Sequence, residues 1–324
     1  MIGTILVALI AGCASALMFA SITSGALISL VLICLAPMPL MVAALGWGSF
    51  CVITGGLLAM LGLGAAFGLP ISIAFGLSVA LPAWWLGHLA LLGRPSFGTP
   101  GPDEGAPAVA PELEWYPIGR ILLWITALAA LVTMASLLSL GSDATTISGT
   151  LRRSFAHSLR AVTKSAIGED DPAVHALVAV VPILLAMSGV TTLTLNLWLA
   201  AKVTATSGRL RRPWPDLKTV TLPRMTLAVL CLAIAFCFTG GLVAIFAEIV
   251  TTSLMMAYAI TGFAVLHTLT LALKSRPFWL GSAYAIVVMF VWPVLAVVLL
   301  GLADAVFGFR ERFLRGRPPP LPTP

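Results

Sequence analysis

Asn196 is the residue whose position in this chain most needs a chemical partner. It follows Thr191, Thr192 and Thr194 near the end of an apolar run that begins at Ala173. A carboxamide is costly in hydrocarbon unless its donors and its acceptor are matched, so Asn196 should face the interior of a helix bundle. Two readings are open: a hydrogen bond to another helix, or a contact with a bound small molecule. Trp84 and His88 are the other candidate substrate contacts. With Trp85 they lie within three helical turns of Arg94, the depth at which an aromatic belt also forms.

Other chemistry has little support. His88 and His267 are isolated from carboxylates in sequence, and His157 has no evident partner. There is no HExxH, GxSxG or Walker motif, and no pair of aspartates in facing apolar runs. The chain is therefore expected to be non-enzymatic, with no catalytic residue, metal or cofactor. Cys13, Cys34, Cys51, Cys231 and Cys237 all sit in apolar runs without a CxxC, as small buried hydrophobes would. Leu9-Ile10-Ala11-Gly12-Cys13 has the form of a lipidation box, but no Lys or Arg precedes it and apolar residues follow. It reads as part of an uncleaved span.

The elements that carry these residues follow from composition. Of 324 residues, 60% are hydrophobic and 9% charged, and the mean hydropathy is +1.06. Soluble domains carry roughly 25% charged residues. Apolar blocks of about 20 residues match ~30 Å of hydrocarbon crossed as helix. The expected fold is all-α: a polytopic transmembrane helix bundle of eight or nine spans over residues 1–308, with an interfacial amphipathic helix and a basic, Pro-rich tail at 309–324.

Six spans are expected near 2–22, 25–45, 49–67, 70–92, 118–140 and 173–201. In the first, Ala8, Gly12, Ala16 and Ala20 form a small-residue stripe for packing within the chain or docking a membrane partner. In the second, Ala36-Pro37-Met38-Pro39 should kink or break the helix. Residues 95–117 read as a flexible loop in which Glu112 and Glu114 are solvated. Residues 147–167 read as an amphipathic helix on the membrane surface, with Ile147, Leu151, Phe155, Leu159 and Val162 on one face. The 49 residues from 225 to 273 are too long for one crossing. They should turn near Gly240-Gly241 or Glu248, with Glu248 at an outer end. A last span is expected over 278–303, with Asp304 opening the tail.

Between Lys202 and Arg224 lie six Lys or Arg against one acid, Asp216. Retention of basic loops on the cytoplasmic side makes Arg209, Arg211 and Arg212 topology anchors and places the N-terminus in the cytoplasm. The Arg-rich C-terminus then conflicts, because Lys274/Arg276 and the tail flank one span. Nine spans put the tail outside; eight, with one segment re-entrant or interfacial, put it inside. The net charge of +6 suits anionic lipid. Without a compact basic fold or RNA-binding motif, nucleic acid is not an expected partner.

A set of local patterns runs along most of the chain: Ala36-Pro37-Met38-Pro39 with Gly46-Trp47-Gly48, Leu81-Pro82-Ala83-Trp84-Trp85-Leu86-Gly87, Glu114-Trp115-Tyr116-Pro117-Ile118-Gly119-Arg120, Asn196-Leu197-Trp198 with Gly208-Arg209-Leu210-Arg211-Arg212-Pro213, and Gly301-Leu302-Ala303-Asp304. In these the chain resembles the DUF2232 family of bacterial multi-pass membrane proteins. That family is distantly similar to the S components of energy-coupling-factor transporters and to MreD-type rod-shape proteins. The resemblance implies the bacterial inner membrane, a small-molecule ligand, and docking through the first helix onto a partner subunit that works with an ATPase. S components usually have six spans, so the C-terminal spans have no counterpart there. The expected function is a small-molecule-binding or transport subunit; the alternative is a non-enzymatic scaffold or envelope-assembly factor that meets partners through its basic loop.

Overall fold

The computed structural model describes residues 2–96, 112–163, 168–214, 220–290 and 292–315. Most of the loop expected at 95–117, Asp216 and Lys218 in the basic loop, the end of the amphipathic segment and the tail beyond 315 lie outside these residues. The described chain is helical except for one two-stranded ladder. Seven helical stretches are long and apolar enough to cross a membrane: Ile2–Ser24, Leu27–Trp47, Ser49–Phe67, Leu69–Ala90, Ile118–Leu138, Pro172–Thr206 and Gly241–Leu269. The chain is a multi-pass helical membrane protein.

It divides into two compact units, Met1–Ile125 with Thr192–Pro215, and Thr126–Thr191 with Asp216–Pro324. The first unit begins with α1 (Ile2–Ala20), α2 (Leu27–Leu35), α3 (Pro37–Trp47) and α4 (Ser49–Phe67). The α2/α3 break falls at Ala36, immediately before the first of two prolines, neither of which can donate a helical hydrogen bond. α1 packs on α4 through backbone. A Cβ placed on Gly12 would collide with the Gly55 carbonyl, and one on Gly55 with the Ala8 carbonyl. α5 (Leu69–Phe75) passes through a π-helical turn at Gly76–Ala80 into α6 (Leu81–Ala90). Pro82 follows that turn and removes a further helical donor, so the wider turn sits where the regular ladder is already interrupted.

After α6, β1 (Gly93–Ser96) pairs antiparallel with β2 (Glu112–Trp115), placing Arg94 opposite Glu114. This corrects the expectation of a loop throughout 95–117: both ends of that segment are pinned. Arg94 Nη2 lies 2.8 Å from Glu114 Oε2, although both side chains are largely exposed. The unit is completed by the start of α7 (Ile118–Leu138) and the end of α9 (Pro172–Thr206).

The second unit contains the rest of α7 and α9, with α8 (Ala144–Thr163) between them. Asp143 caps α8. Its carboxylate accepts from the Thr146 N–H at 2.9 Å and the Thr146 hydroxyl at 2.7 Å, and also from the Thr145 hydroxyl. Ile147 of α8 is buried with Ala130, Leu137, Ala186 and Ile249, with Leu151 packed against the same cluster. The apolar face of α8 is thus docked on protein at this end, rather than lying free on the membrane surface.

α10 (Met225–Phe236) and α11 (Gly241–Leu269) turn back at Gly240-Gly241, where φ is 80° and 65°. Glu248 is not at a span end; it lies inside α11 and is half-buried. The span expected over 278–303 is two helices, α12 (Arg276–Phe290) and α13 (Val294–Phe307), interrupted before Pro293. α13 runs antiparallel to α11. Gly262 meets the Val297 carbonyl and Gly301 meets the Tyr258 carbonyl. Asp304 does not open a solvated tail: it is in α13, 7% exposed, and its Oδ2 accepts from Arg310 Nε at 2.7 Å. Arg310 belongs to α14 (Phe309–Arg315), reached by a left-handed turn at Gly308.

Candidate functional site

Asn196 is completely buried. Its Nδ2 donates to the Thr192 carbonyl one turn back in α9 and to the Cys34 carbonyl in α2, each at 2.7 Å. Cys34 lies in the last turn of α2, between Ile33 and Leu35, whose carbonyls lose their helical donors because Pro37 and Pro39 have no N–H. The side chain therefore ties α9 to the proline break, joining two features that are 162 residues apart in sequence. Both donors are used. The acceptor is not: Asn196 Oδ1 is buried with no hydrogen-bond partner among the described residues. A buried acceptor left unmatched costs about 1–3 kcal/mol. Cys34 is about 10 Å along the Leu27–Trp47 span, well inside the apolar layer. Ser15, also fully buried in this unit, has a hydroxyl oxygen with no partner among the described residues.

Trp84 and His88 belong to another level. His88 Nδ1 lies 3.4 Å from Ser49 Oγ, the long limit of a hydrogen bond. Trp85 is the hub of the group, with ring centroids 5.7 Å from Trp84, 6.2 Å from His88 and 5.0 Å from Trp124. Its indole N–H is buried without a partner among the described residues. The eleven residues of α3, about 16 Å of helix, separate the level of Cys34 from that of Ser49. Asn196, Trp84 and His88 therefore do not line one site.

The basic loop folds onto this same end of the unit. The Arg209 and Leu210 N–H groups both donate to the Thr204 carbonyl, and Gly208 at φ 67° makes the turn out of α9. The Arg209 guanidinium lies 4.5 Å over the Trp47 ring, and Lys202 Nζ lies 4.7 Å over Trp214. Arg212 Nη1 donates to the Ala90 carbonyl at the end of α6, at 3.3 Å. Burial among apolar groups pulls the Arg212 guanidinium below the ordinary arginine value. Arg211 is exposed. No local signal in the sequence tied Trp47 to the loop.

The small-residue stripe of α1 is partly used within the chain. Ala8, Ala11, Gly12 and Ser15 are the buried residues of α1, whereas Ala16 and Ala20 are half-buried. No group of three His, Cys, Asp or Glu residues converges as a metal site would, among the described residues. Comparison with protein-family models, curated proteins and solved structures finds no match to this chain.

Proposed function

We propose that this chain is a non-enzymatic small-molecule-binding subunit of a bacterial cytoplasmic-membrane transport assembly, akin to the DUF2232 proteins and the S components it resembles. The observation that carries the reading is the unmatched Asn196 Oδ1 at the break between α2 and α3. Broken helices inside a membrane are where transporters expose polar groups to a ligand. A buried, unmatched acceptor on a side chain tied to such a break suits a ligand that brings an N–H or O–H donor. With no Walker motif in the chain, energy for transport comes from a separate ATPase. Because Ala8 and Gly12 serve internal packing, partner docking falls to the more open Ala16 and Ala20.

The N-terminus is cytoplasmic in this reading, as are the Trp47-Gly48-Ser49 turn, the β1–β2 segment and the basic loop. Its support is that these connections meet at one end of the first unit through Ser49–His88, Trp47–Arg209 and Ala90–Arg212.

Native mass spectrometry of the full chain, extracted into lipid nanodiscs, tests the proposal. A small molecule should co-purify, and Asn196→Leu should lose it while the chain still folds. Consistently empty wild-type protein that no metabolite panel stabilises would overturn the reading.

A further inference from the structure

The cations at the loop end of the first unit form a different kind of site. Lys202, Arg209, Arg211 and Arg212 lie within eleven residues, and no acid occurs from 202 to 214. Among the described residues no carboxylate pairs with any of them. They are not splayed into water. Arg209 is stacked on Trp47, the last residue of one span, and Arg212 is fastened to Ala90, the last residue of another. Both guanidinium groups are thereby held at the level where two apolar spans end, one of them against the Trp47 ring. Arg212 is partly desolvated there without a described counter-charge, an arrangement that a neighbouring anion relieves.

We propose that Arg209 and Arg212 bind the phosphodiester of an anionic phospholipid headgroup. Depth selects a lipid over a soluble phosphate. The two guanidinium groups are anchored to residues that terminate membrane spans, so an acyl chain can run down the apolar flank while its phosphate reaches them. A guanidinium offers paired N–H donors suited to phosphate oxygens, and ring stacking on Trp47 fixes the plane of one of them. Arg211, exposed and without such an anchor, contributes only general attraction to an anionic surface.

The full chain is purified in mild detergent and given phosphatidylglycerol or phosphatidylcholine with the same acyl chains. Bound lipid is counted by native mass spectrometry, and the unfolding midpoint is measured in parallel. Phosphatidylglycerol should be retained about tenfold more than phosphatidylcholine and should raise the midpoint. Arg209→Gln with Arg212→Gln should abolish the preference, and Arg211→Gln should leave most of it. If the double glutamine variant does not fold, Arg209→Lys with Arg212→Lys keeps the charge and should weaken retention several-fold by losing the planar fork. Equal retention of the two lipids by the wild type overturns the proposal. So does a preference untouched by the substitutions, or displacement of the lipid by millimolar inorganic phosphate, which would mark a soluble-anion site. The lipid preference does not depend on Asn196, so Asn196→Leu separates this site from the small-molecule site.

Discussion

At the residue scale, two side chains show how hydrogen-bond accounting makes testable claims. Asn196 spends both N–H groups on carbonyls, one of them across helices. Asn196→Leu removes that tie and should lower stability in lipid by about 1 kcal/mol, the usual size of an interhelical hydrogen bond there. The loss is moderated because the unmatched Oδ1 disappears with it. Asn196→Asp should be worse than Asn196→Leu, because it turns a donor toward two carbonyls into an acceptor or a buried charge. Reversible unfolding in detergent micelles gives the order. Asp143 makes a claim about pH. Hydrogen bonds from Thr145 and Thr146 hold its carboxyl at about 2, against an ordinary 3.8. A depressed carboxylate contributes stability that is complete above its unfolded value and disappears as pH falls through the folded one. The start of α8 should therefore fray between about pH 4 and pH 2, and Asp143→Ala should remove that dependence. Amide hydrogen exchange at Thr146 and Ile147 across this range measures both effects.

At the element scale, most spans were legible because a run of apolar residues and a helix that crosses hydrocarbon have the same length. The break at Ala36 and the turn at Gly240-Gly241 were legible because Pro and Gly change the backbone wherever they stand. What failed to show was contact. The stripe Ala8, Gly12, Ala16 and Ala20 repeats every four residues, but a helix turns every 3.6, so the stripe drifts off any straight seam. The buried face is Ala8, Ala11, Gly12 and Ser15 instead. Pro293 carries the same kind of signal as Pro37, and the expectation of one span over 278–303 overlooked it. Asn196 was legible as a residue in need of a partner, yet nothing local could identify Cys34. Close backbone contact gives a sharp prediction for α11 and α13. Since Gly301 faces the Tyr258 carbonyl and Gly262 the Val297 carbonyl, any side chain there forces the helices apart. Gly301→Val should cost about 1–3 kcal/mol as overpacking. Gly281→Val, at an α12 position with open space around it, should cost far less. Thermal unfolding of the two variants in the same detergent compares them.

At the scale of the whole molecule, the conflict over the C-terminus turns on α12. Its first residue, Arg276, has its side chain donating to the His267 carbonyl, and its Tyr284 hydroxyl lies 2.9 Å from His267 Nε2 with the ring stacked on Phe263. α13 then has Val297 beside Gly262. Thus α12 begins and ends within about two turns of the same end of α11 and returns the chain to the end at which it starts. None of its side chains is fully buried, as suits a helix lying against lipid. α13 runs back along α11, with Gly301 at the Tyr258 carbonyl, and carries Asp304 and α14 away from that end, so the tail is expected on the opposite side. Arg310 adds no free charge there, because Asp304 neutralises it within the protein. Lys274 and Arg276 have no such partner among the described residues. On charge asymmetry the Lys274/Arg276 end is the one expected to be cytoplasmic. In a background with the native cysteines replaced by alanine, Ser275→Cys and Arg312→Cys should react with a membrane-impermeant maleimide from opposite sides of sealed vesicles. Labelling of both from one side would mean that α13 turns back within the membrane, giving the tail and Lys274 a common face.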